Sequence, residues 1–102
     1  MLRHIVLARW KPEATDAQKQ AVRDALAALP SQISEIVAFR FGDDVRRKAN
    51  SYDLGAVVDF ADREAFARYL AHPAHCAYAD GPGKAAVASL ASRAAARVVS
   101  PP

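Results

Sequence analysis

The stretch LRHIVLARW, residues 2–10, predicts a β-strand that is covered on both faces. Its centre is apolar and rich in strand-forming residues, and Pro12 follows the end of the run. Side chains alternate along a strand, so residues 3–10 divide into two sets. The sets are His4, Val6, Ala8 and Trp10 on one face, and Arg3, Ile5, Leu7 and Arg9 on the other. Both sets have apolar members at the centre, which indicates that neither face is left bare to water.

A helix and two further strands are predicted next. Thr15, followed three residues later by Gln18, is a capping box that begins a helix, and Pro30 is expected to end it. Val22, Ala25, Leu26 and Leu29 form the apolar stripe of that helix. Residues 33–42 and 52–60 alternate as strands, and a polar loop separates them.

The last third of the sequence predicts a second helix, a connector and two short elements. The second helix begins at the N-cap Asp62 and ends at His72-Pro73, and residues 75–80 form an ambiguous connector or a short helical turn. Gly81-Pro82-Gly83 breaks the chain. An alanine-rich helix with Val87 and Leu90 inward is then expected, followed by a final strand at Arg97-Val98-Val99.

This order, β-α-β-β-α-(α)-β, predicts one α+β domain over residues 1–102. It is the ferredoxin-like split βαβ arrangement, a four-stranded antiparallel sheet with helices on one face. The uncovered face would carry apolar residues of the first strand, and a soluble monomer rarely exposes such a surface. Packing against an identical sheet would cover it, so we expect a homodimeric α+β barrel. The many alanines bury little apolar area, which also favours association.

Charge and cysteine content exclude several classes of protein. The net charge of +3 is mild, and the basic cluster at residues 46–48 directly follows Asp43-Asp44 and Val45, so nucleic-acid binding is not expected. We interpret the cluster as a solvated loop, with an acidic or phosphate ligand as the alternative. The single Cys76 excludes an intrachain disulfide. With neither an apolar run long enough to span a membrane nor a signal-peptide pattern, the expected location is the cytoplasm.

The candidate chemical groups are His4, Tyr69, His72 and His75. Histidine exchanges protons near neutral pH, and a tyrosine hydroxyl can polarise a carbonyl oxygen. Each also has a structural interpretation. His72 is expected to cap the carbonyl end of the second helix, Tyr69 could be core packing, and His4 and His75 could be satisfied structural histidines.

Metal and covalent chemistry are disfavoured. His72 and His75 could supply two zinc ligands, but no cysteine pair or suitably spaced acidic residue completes a site, so no metal and no cofactor are predicted. Cys76 beside His75 could suggest a nucleophile and its base. Sequence neighbours seldom share a face, however, and we interpret Cys76 as a small buried residue.

Several segments resemble the stress-response A/B barrel (Dabb) family. They are residues 3–7, the helix from Thr15 to Pro30, residues 52–54 and 60–62, and above all YLAHPAH at residues 69–75. The resemblance implies a dimeric ferredoxin-like α+β barrel. In the polyketide cyclase branch, a histidine and a tyrosine act as acid–base groups and correspond to His75 and Tyr69, and the histidine of the first strand corresponds to His4. The tail lacks the acidic residue of the cyclase pattern.

Three functional hypotheses follow. The first is a homodimer whose apolar pocket binds a small hydrophobic or carbonyl-bearing molecule, with cofactor-free cyclase- or isomerase-like acid–base chemistry at His4, Tyr69 and His75. The second is a non-catalytic stress-response or structural dimer. The third, a cofactor-free monooxygenase, has the right architecture but is disfavoured by the His-Pro-x-His stretch.

Overall fold

Four strands and the helices between them follow the predicted order in the computed structural model, which describes residues 1–45 and 51–96. The basic cluster at 46–48 and the strand expected at 97–99 lie outside the described residues. The elements are β1 (Leu2–Trp10), α1 (Asp16–Gln32), β2 (Ile36–Asp43), β3 (Leu54–Phe60), α2 (Arg63–Ala71), α3 (Pro73–Tyr78), a π-helical turn (Ala79–Gly83), α4 (Lys84–Ala86) and β4 (Val87–Ala95).

The strands form one antiparallel sheet in the order β2-β3-β1-β4. Strand β1 lies between β3 and β4, with Leu2 opposite Phe60 and Ala8 opposite both Leu54 and Leu90. The first and last strands are therefore neighbours although the whole chain separates them. This confirms the ferredoxin-like prediction.

The helices cover one side of the sheet, called here the inner face. It carries His4, Val6 and Ala8 of β1 and the residues paired with them on the other strands. The core between this face and the helices includes five nearly inaccessible side chains, Val22, Leu29, Ile33, Val58 and Phe60. The predicted apolar stripe of α1 supplies two of them.

The opposite side, the outer face, carries Ile5 and Leu7 of β1, with Val57 opposite Ile5 and Gly55 opposite Leu7. Leu7 lies across Gly55, where a Cβ atom would sit 3.5 Å from the leucine Cδ2. That distance is an ordinary contact, and the strand pairing shows no register shift at Gly55, so the glycine does not mark a bulge. Leu7 is 39% exposed, and the helices of the described residues lie on the other side of the sheet.

Helix α1 begins as predicted and ends later than predicted. The Thr15 hydroxyl accepts from the Gln18 backbone N–H at 3.1 Å, and the Gln18 side chain accepts from the Thr15 N–H at 2.9 Å. The expected end at Pro30 is wrong, since the helix continues to Gln32. Proline disfavours helical geometry before it but does not forbid it. Two features stabilise the last turn. Leu29 is buried, and the Ile33 N–H donates a hydrogen bond to the Leu29 carbonyl.

Helix α2 has the predicted bounds. Asp62 caps it by accepting from the Ala65 N–H at 2.8 Å, and the helix ends at Ala71, just before His72. The ambiguous connector is helix α3, with Pro73 in its first turn. Proline is favoured there because the missing N–H has no partner in a helix anyway. None of the helices in the described ranges is long and apolar enough to cross a membrane.

The alanine-rich helix expected after Gly83 is wrong. Only Lys84–Ala86 is helical, and Val87–Ala95 forms β4. Alanine favours helices by less than 1 kcal/mol per residue over most others, about the scale of one backbone hydrogen bond. Here the open edge of β1 offers a full ladder of backbone partners from Arg3 to Trp10. Pairing with β1 outweighs the local preference.

Candidate functional site

A cavity of about 540 Å³ lies between the inner face and helices α1, α2 and α3. His4, Tyr69 and His75, the three residues singled out in the sequence, all line it. The rest of its wall is mainly apolar, with Val6, Ala8, Leu26, Phe39, Leu54, Ala56, Val58, Leu70, Tyr78 and Val87 among its members. Size and composition suit a small apolar ligand with a few polar atoms.

Three different elements position the three side chains. His4 stands on the central strand β1 opposite Val58, Tyr69 lies near the end of α2, and His75 lies in α3. The centroids of the Tyr69 and His75 rings are 4.6 Å apart, and those of His4 and Tyr69 are 6.4 Å apart. The His72-Pro73 break between α2 and α3 brings Tyr69 and His75 together.

Both histidines hold a buried nitrogen without a hydrogen-bond partner. The Nδ1 atoms of His4 and His75 are inaccessible and unpaired among the described residues. Leaving a buried polar atom unpaired costs about 1–3 kcal/mol. Proteins generally satisfy such atoms, and exceptions are a recognised mark of functional sites.

Burial keeps both imidazoles in the neutral form. It is the main cause that lowers the pKa of His4, and the nearby His75 lowers it further. Burial also lowers the pKa of His75, while a hydrogen bond with the Leu70 backbone and the charge of Asp80 act in the opposite direction. A neutral imidazole can accept a proton, which is the state that a general base needs.

Burial, and secondarily Tyr78, raises the pKa of Tyr69 to about 12. The Tyr69 hydroxyl therefore keeps its proton at neutral pH and can donate it in a hydrogen bond. Its ring is 5% exposed and packs against Phe60 and Phe66, with centroid distances of 4.8 and 6.4 Å. The packing fixes the direction of the hydroxyl group, so the core interpretation and the site interpretation of Tyr69 are compatible.

The expected roles of His72 and Cys76 are corrected. The His72 Nδ1 atom accepts from the Ala74 N–H at 3.0 Å, so this side chain caps the beginning of α3 and not the carbonyl end of α2. The backbone N–H of His72 closes α2 by donating to the Tyr69 carbonyl. Cys76 is exposed rather than buried, and its Sγ atom lies 3.7 Å from the Leu70 carbonyl.

Tyr78 is a wall residue that the sequence analysis missed. It follows His75 by three residues in α3, a spacing that would have placed both on one helix face had the helix been recognised. Its ring packs against Gly83, where a Cβ atom would lie 3.4 Å from Cζ. Burial raises the pKa of Tyr78, so this second phenol is also protonated at neutral pH.

Metal-binding groups do not converge at this cavity. Within residues 1–45 and 51–96, no three histidine, cysteine, aspartate or glutamate side chains lie close enough together to hold an ion. Here the polar groups that the described residues offer to a ligand are imidazoles, phenols, serine hydroxyls and one lysine.

Comparison with known proteins agrees with this architecture. The chain is 28% identical to olivetolic acid cyclase of Cannabis sativa over 81 residues, which cover 78% of this chain and 80% of the cyclase. A dimeric ferredoxin-like protein of unknown function from Thermobifida fusca is 32% identical, with a TM-score of 0.84 over 94% of this chain and 90% of that one.

A hydroxynitrile lyase from Passiflora edulis shares the fold, with 17% identity and a TM-score of 0.85 over 99% of this chain and 96% of the lyase. The model of the stress responsive A/B barrel domain matches residues 2–93, a range that contains every helix and all but the end of the last strand described above. The chain belongs to the stress responsive A/B barrel domain (Dabb) family.

Proposed function

We propose that the chain forms a homodimer in which each inner cavity binds a small apolar molecule bearing a carbonyl group. The cavity then moves a proton next to that carbonyl without a cofactor, in a cyclase- or isomerase-like reaction. His75, Tyr69 and His4 are the proposed catalytic residues.

One observation carries the proposal: two imidazoles whose pKa values are lowered by burial flank a protonated phenol in an apolar cavity, and the buried Nδ1 atom of His4 has no partner among the described residues. A purely structural histidine would be expected to spend its nitrogens on the protein. The similarity to olivetolic acid cyclase over most of both chains supports the same conclusion, because that relative is a cyclase.

The proposed step uses each group in one role. His75 takes a proton from the carbon next to the carbonyl. The electron pair of the broken C–H bond forms a C=C bond, and the π pair of the carbonyl moves to its oxygen. The Tyr69 hydroxyl donates a hydrogen bond to the oxygen as its negative charge develops. His4, on the opposite wall, offers a second neutral imidazole that can hold another polar group of the ligand. Returning the proton from His75 to a carbon completes the cycle.

The outer face supports the homodimer. Ile5, Leu7 and Val57 form an apolar centre there, while Arg40 and Arg93 flank it on the edge strands β2 and β4. An apolar centre with a charged rim is the usual anatomy of a protein interface. The solved relative from Thermobifida fusca is dimeric.

Hydrogen–deuterium exchange tests the chemistry without knowledge of the natural substrate. Benzylacetone and related apolar ketones are incubated with the protein in deuterium oxide, and NMR follows exchange next to the carbonyl. We expect the protein to accelerate exchange, His75→Gln to slow it by about 10²–10⁴-fold, and Tyr69→Phe by about 10²-fold.

His72→Asn is the matched control, because the His72 side chain does not line the cavity and asparagine can replace it as the cap of α3. It should exchange at the wild-type rate. If the protein neither accelerates exchange nor gains thermal stability with any ketone of the panel, the non-catalytic dimer is the better description.

A further inference from the structure

We infer that the molecule bound in the cavity carries a single anionic group, which pairs with Lys84 where the cavity meets solvent. This inference rests on the proposed function and adds to it a class of ligand, an apolar carbonyl compound with a negatively charged end.

The charges of the cavity wall point to this class. Lys84 is the one lysine or arginine that lines the cavity, and no aspartate or glutamate lines it among the described residues. The two lining histidines are mainly neutral at pH 7, because burial lowers their pKa values. The wall therefore presents one formal positive charge to a ligand, and the negative charge of Asp80, which acts on His75, comes from outside the lining.

Lys84 is held at the opening by its place in the chain. It begins α4, directly after Gly83, which is buried against Tyr78. The lysine is exposed and also lines the cavity, which places it where the cavity meets solvent. Within the described part of the chain it makes neither an ion pair nor a side-chain hydrogen bond. Its charge is therefore available to a bound molecule.

Two leucines at the cavity indicate that the ligand has an apolar part, which they would contact. Leu70 is 43% exposed and Leu90 is 64% exposed, and both line the same cavity as Lys84. Exposed leucines of this kind gain when a ligand shields them from water. A molecule that covers both leucines and ends in an anion would use the apolar and the charged parts of the opening together.

A lysine ammonium is a compact point charge that does not distinguish a carboxylate from a phosphate by geometry. We therefore infer one anionic group on the ligand, and the experiment distinguishes a carboxylate from a phosphate. The probes are phenylbutyrate, its uncharged amide phenylbutyramide, and phenylpropyl phosphate. Binding to the full chain is measured by isothermal titration calorimetry at low and high salt.

We expect phenylbutyrate to bind about two- to fivefold more tightly than phenylbutyramide, as one partly solvated ion pair would give. Lys84→Met should abolish this preference, Lys84→Arg should keep it, and added salt should weaken it. Lys19→Met, which removes a lysine outside the cavity, is the control and should bind both probes as the wild type does. Tighter binding of the phosphate than of the carboxylate would assign the anion to a phosphoryl group.

Three outcomes overturn the inference, and they are distinguishable. Equal binding of acid and amide to the wild type, or a preference that survives Lys84→Met, contradicts the role of Lys84 and leaves the proposed function intact. If none of the probes binds, and the ketones of the exchange experiment also fail, both the inference and the proposed function are wrong. Circular dichroism of Lys84→Met excludes misfolding as the cause of a lost preference.

Discussion

The two faces of the sheet come from the same strands, but they differ in whether their polar groups have hydrogen-bond partners. On the outer face, Arg3 and Asp59 form a bidentate ion pair, with N–O distances of 2.8 and 3.0 Å. On the inner face, the Nδ1 atoms of His4 and His75 are buried without partners. The charged pair of the outer face is thus satisfied within the chain, whereas the inner face keeps buried polar atoms without a partner among the described residues.

The faces also differ in how their apolar residues are covered. Val58 on the inner face is 1% exposed, whereas Leu7 on the outer face is 39% exposed. The chain by itself completes only the inner side. The inner face therefore supplies most of the core, and the outer face is the one that the proposed homodimer would cover.

The largest expected effect comes from a charge placed on the outer face. Leu7→Lys should weaken the proposed homodimer by at least about 100-fold, or ~2.8 kcal/mol. Burying one leucine contributes about 1.5–3 kcal/mol, and twofold symmetry repeats the loss in both copies. Analytical ultracentrifugation over a dilution series measures the change in the dimer dissociation constant.

Leu90→Lys is the matched control, since Leu90 pairs with Ala8 on the inner side of β4 and is also exposed. It should leave the dimer intact. Dissociation of Leu90→Lys with no effect from Leu7→Lys would move the interface away from the outer face.

A smaller effect separates the faces within one strand. Val58→Ala removes methyl groups from the core and should lower the free energy of unfolding by about 2–3 kcal/mol, through lost burial and the cavity left behind. The neighbouring Val57→Ala makes the same chemical change on the outer face and should cost about 1 kcal/mol or less in dilute monomer. Urea denaturation at low protein concentration measures both. Equal losses would mean that the outer face is as well packed within one chain as the inner face.

The sequence predicted the parts of the fold that depend on local signals. Four such signals have a short-range physical cause, and each is found where expected. They are the capping box at Thr15, the cap at Asp62, the break at His72-Pro73 and the alternation of β1. The family resemblance and the chemistry of the side chains selected His4, Tyr69 and His75, and the structure places all three on one cavity.

The failures lie where distant parts of the chain decide the outcome. Residues 87–95 contain four alanines, which favour helix locally, yet β1 recruits this segment as a strand because its edge needs hydrogen-bond partners. Because this strand was assigned as a helix, the sequence analysis did not predict that Lys84 and Leu90 line the cavity. That part of the wall forms only when β4 lies beside β1. Tyr78 was missed for a different, local reason, because α3 has only six residues and is too short to show a periodic pattern.

The smallest effect tests how each face responds to pH. The pKa values of His4 and His75 in the folded chain are lowered from 6.5. As the pH falls below about 6.5, the unfolded chain therefore binds more protons than the folded chain does. The free energy of unfolding should therefore decrease between pH 7 and pH 5. His4→Gln and His75→Gln should each flatten this decrease. Because His75 itself lowers the pKa of His4, the two effects should not be additive.

Asp59→Asn provides the contrast from the outer face. Chiefly its hydrogen bond with Arg3 lowers the pKa of Asp59 below 3.8, so the stability gained from this ionisation is lost only in more acidic solution, as the pH falls through the folded value. Asp59→Asn should thus leave the slope between pH 7 and pH 5 unchanged while altering the curve below about pH 4. Urea titrations at each pH measure both windows. A wild-type slope that persists in the double histidine variant would show that His4 and His75 take up protons equally in the folded and unfolded chain, and burial would then not be what keeps His75 neutral.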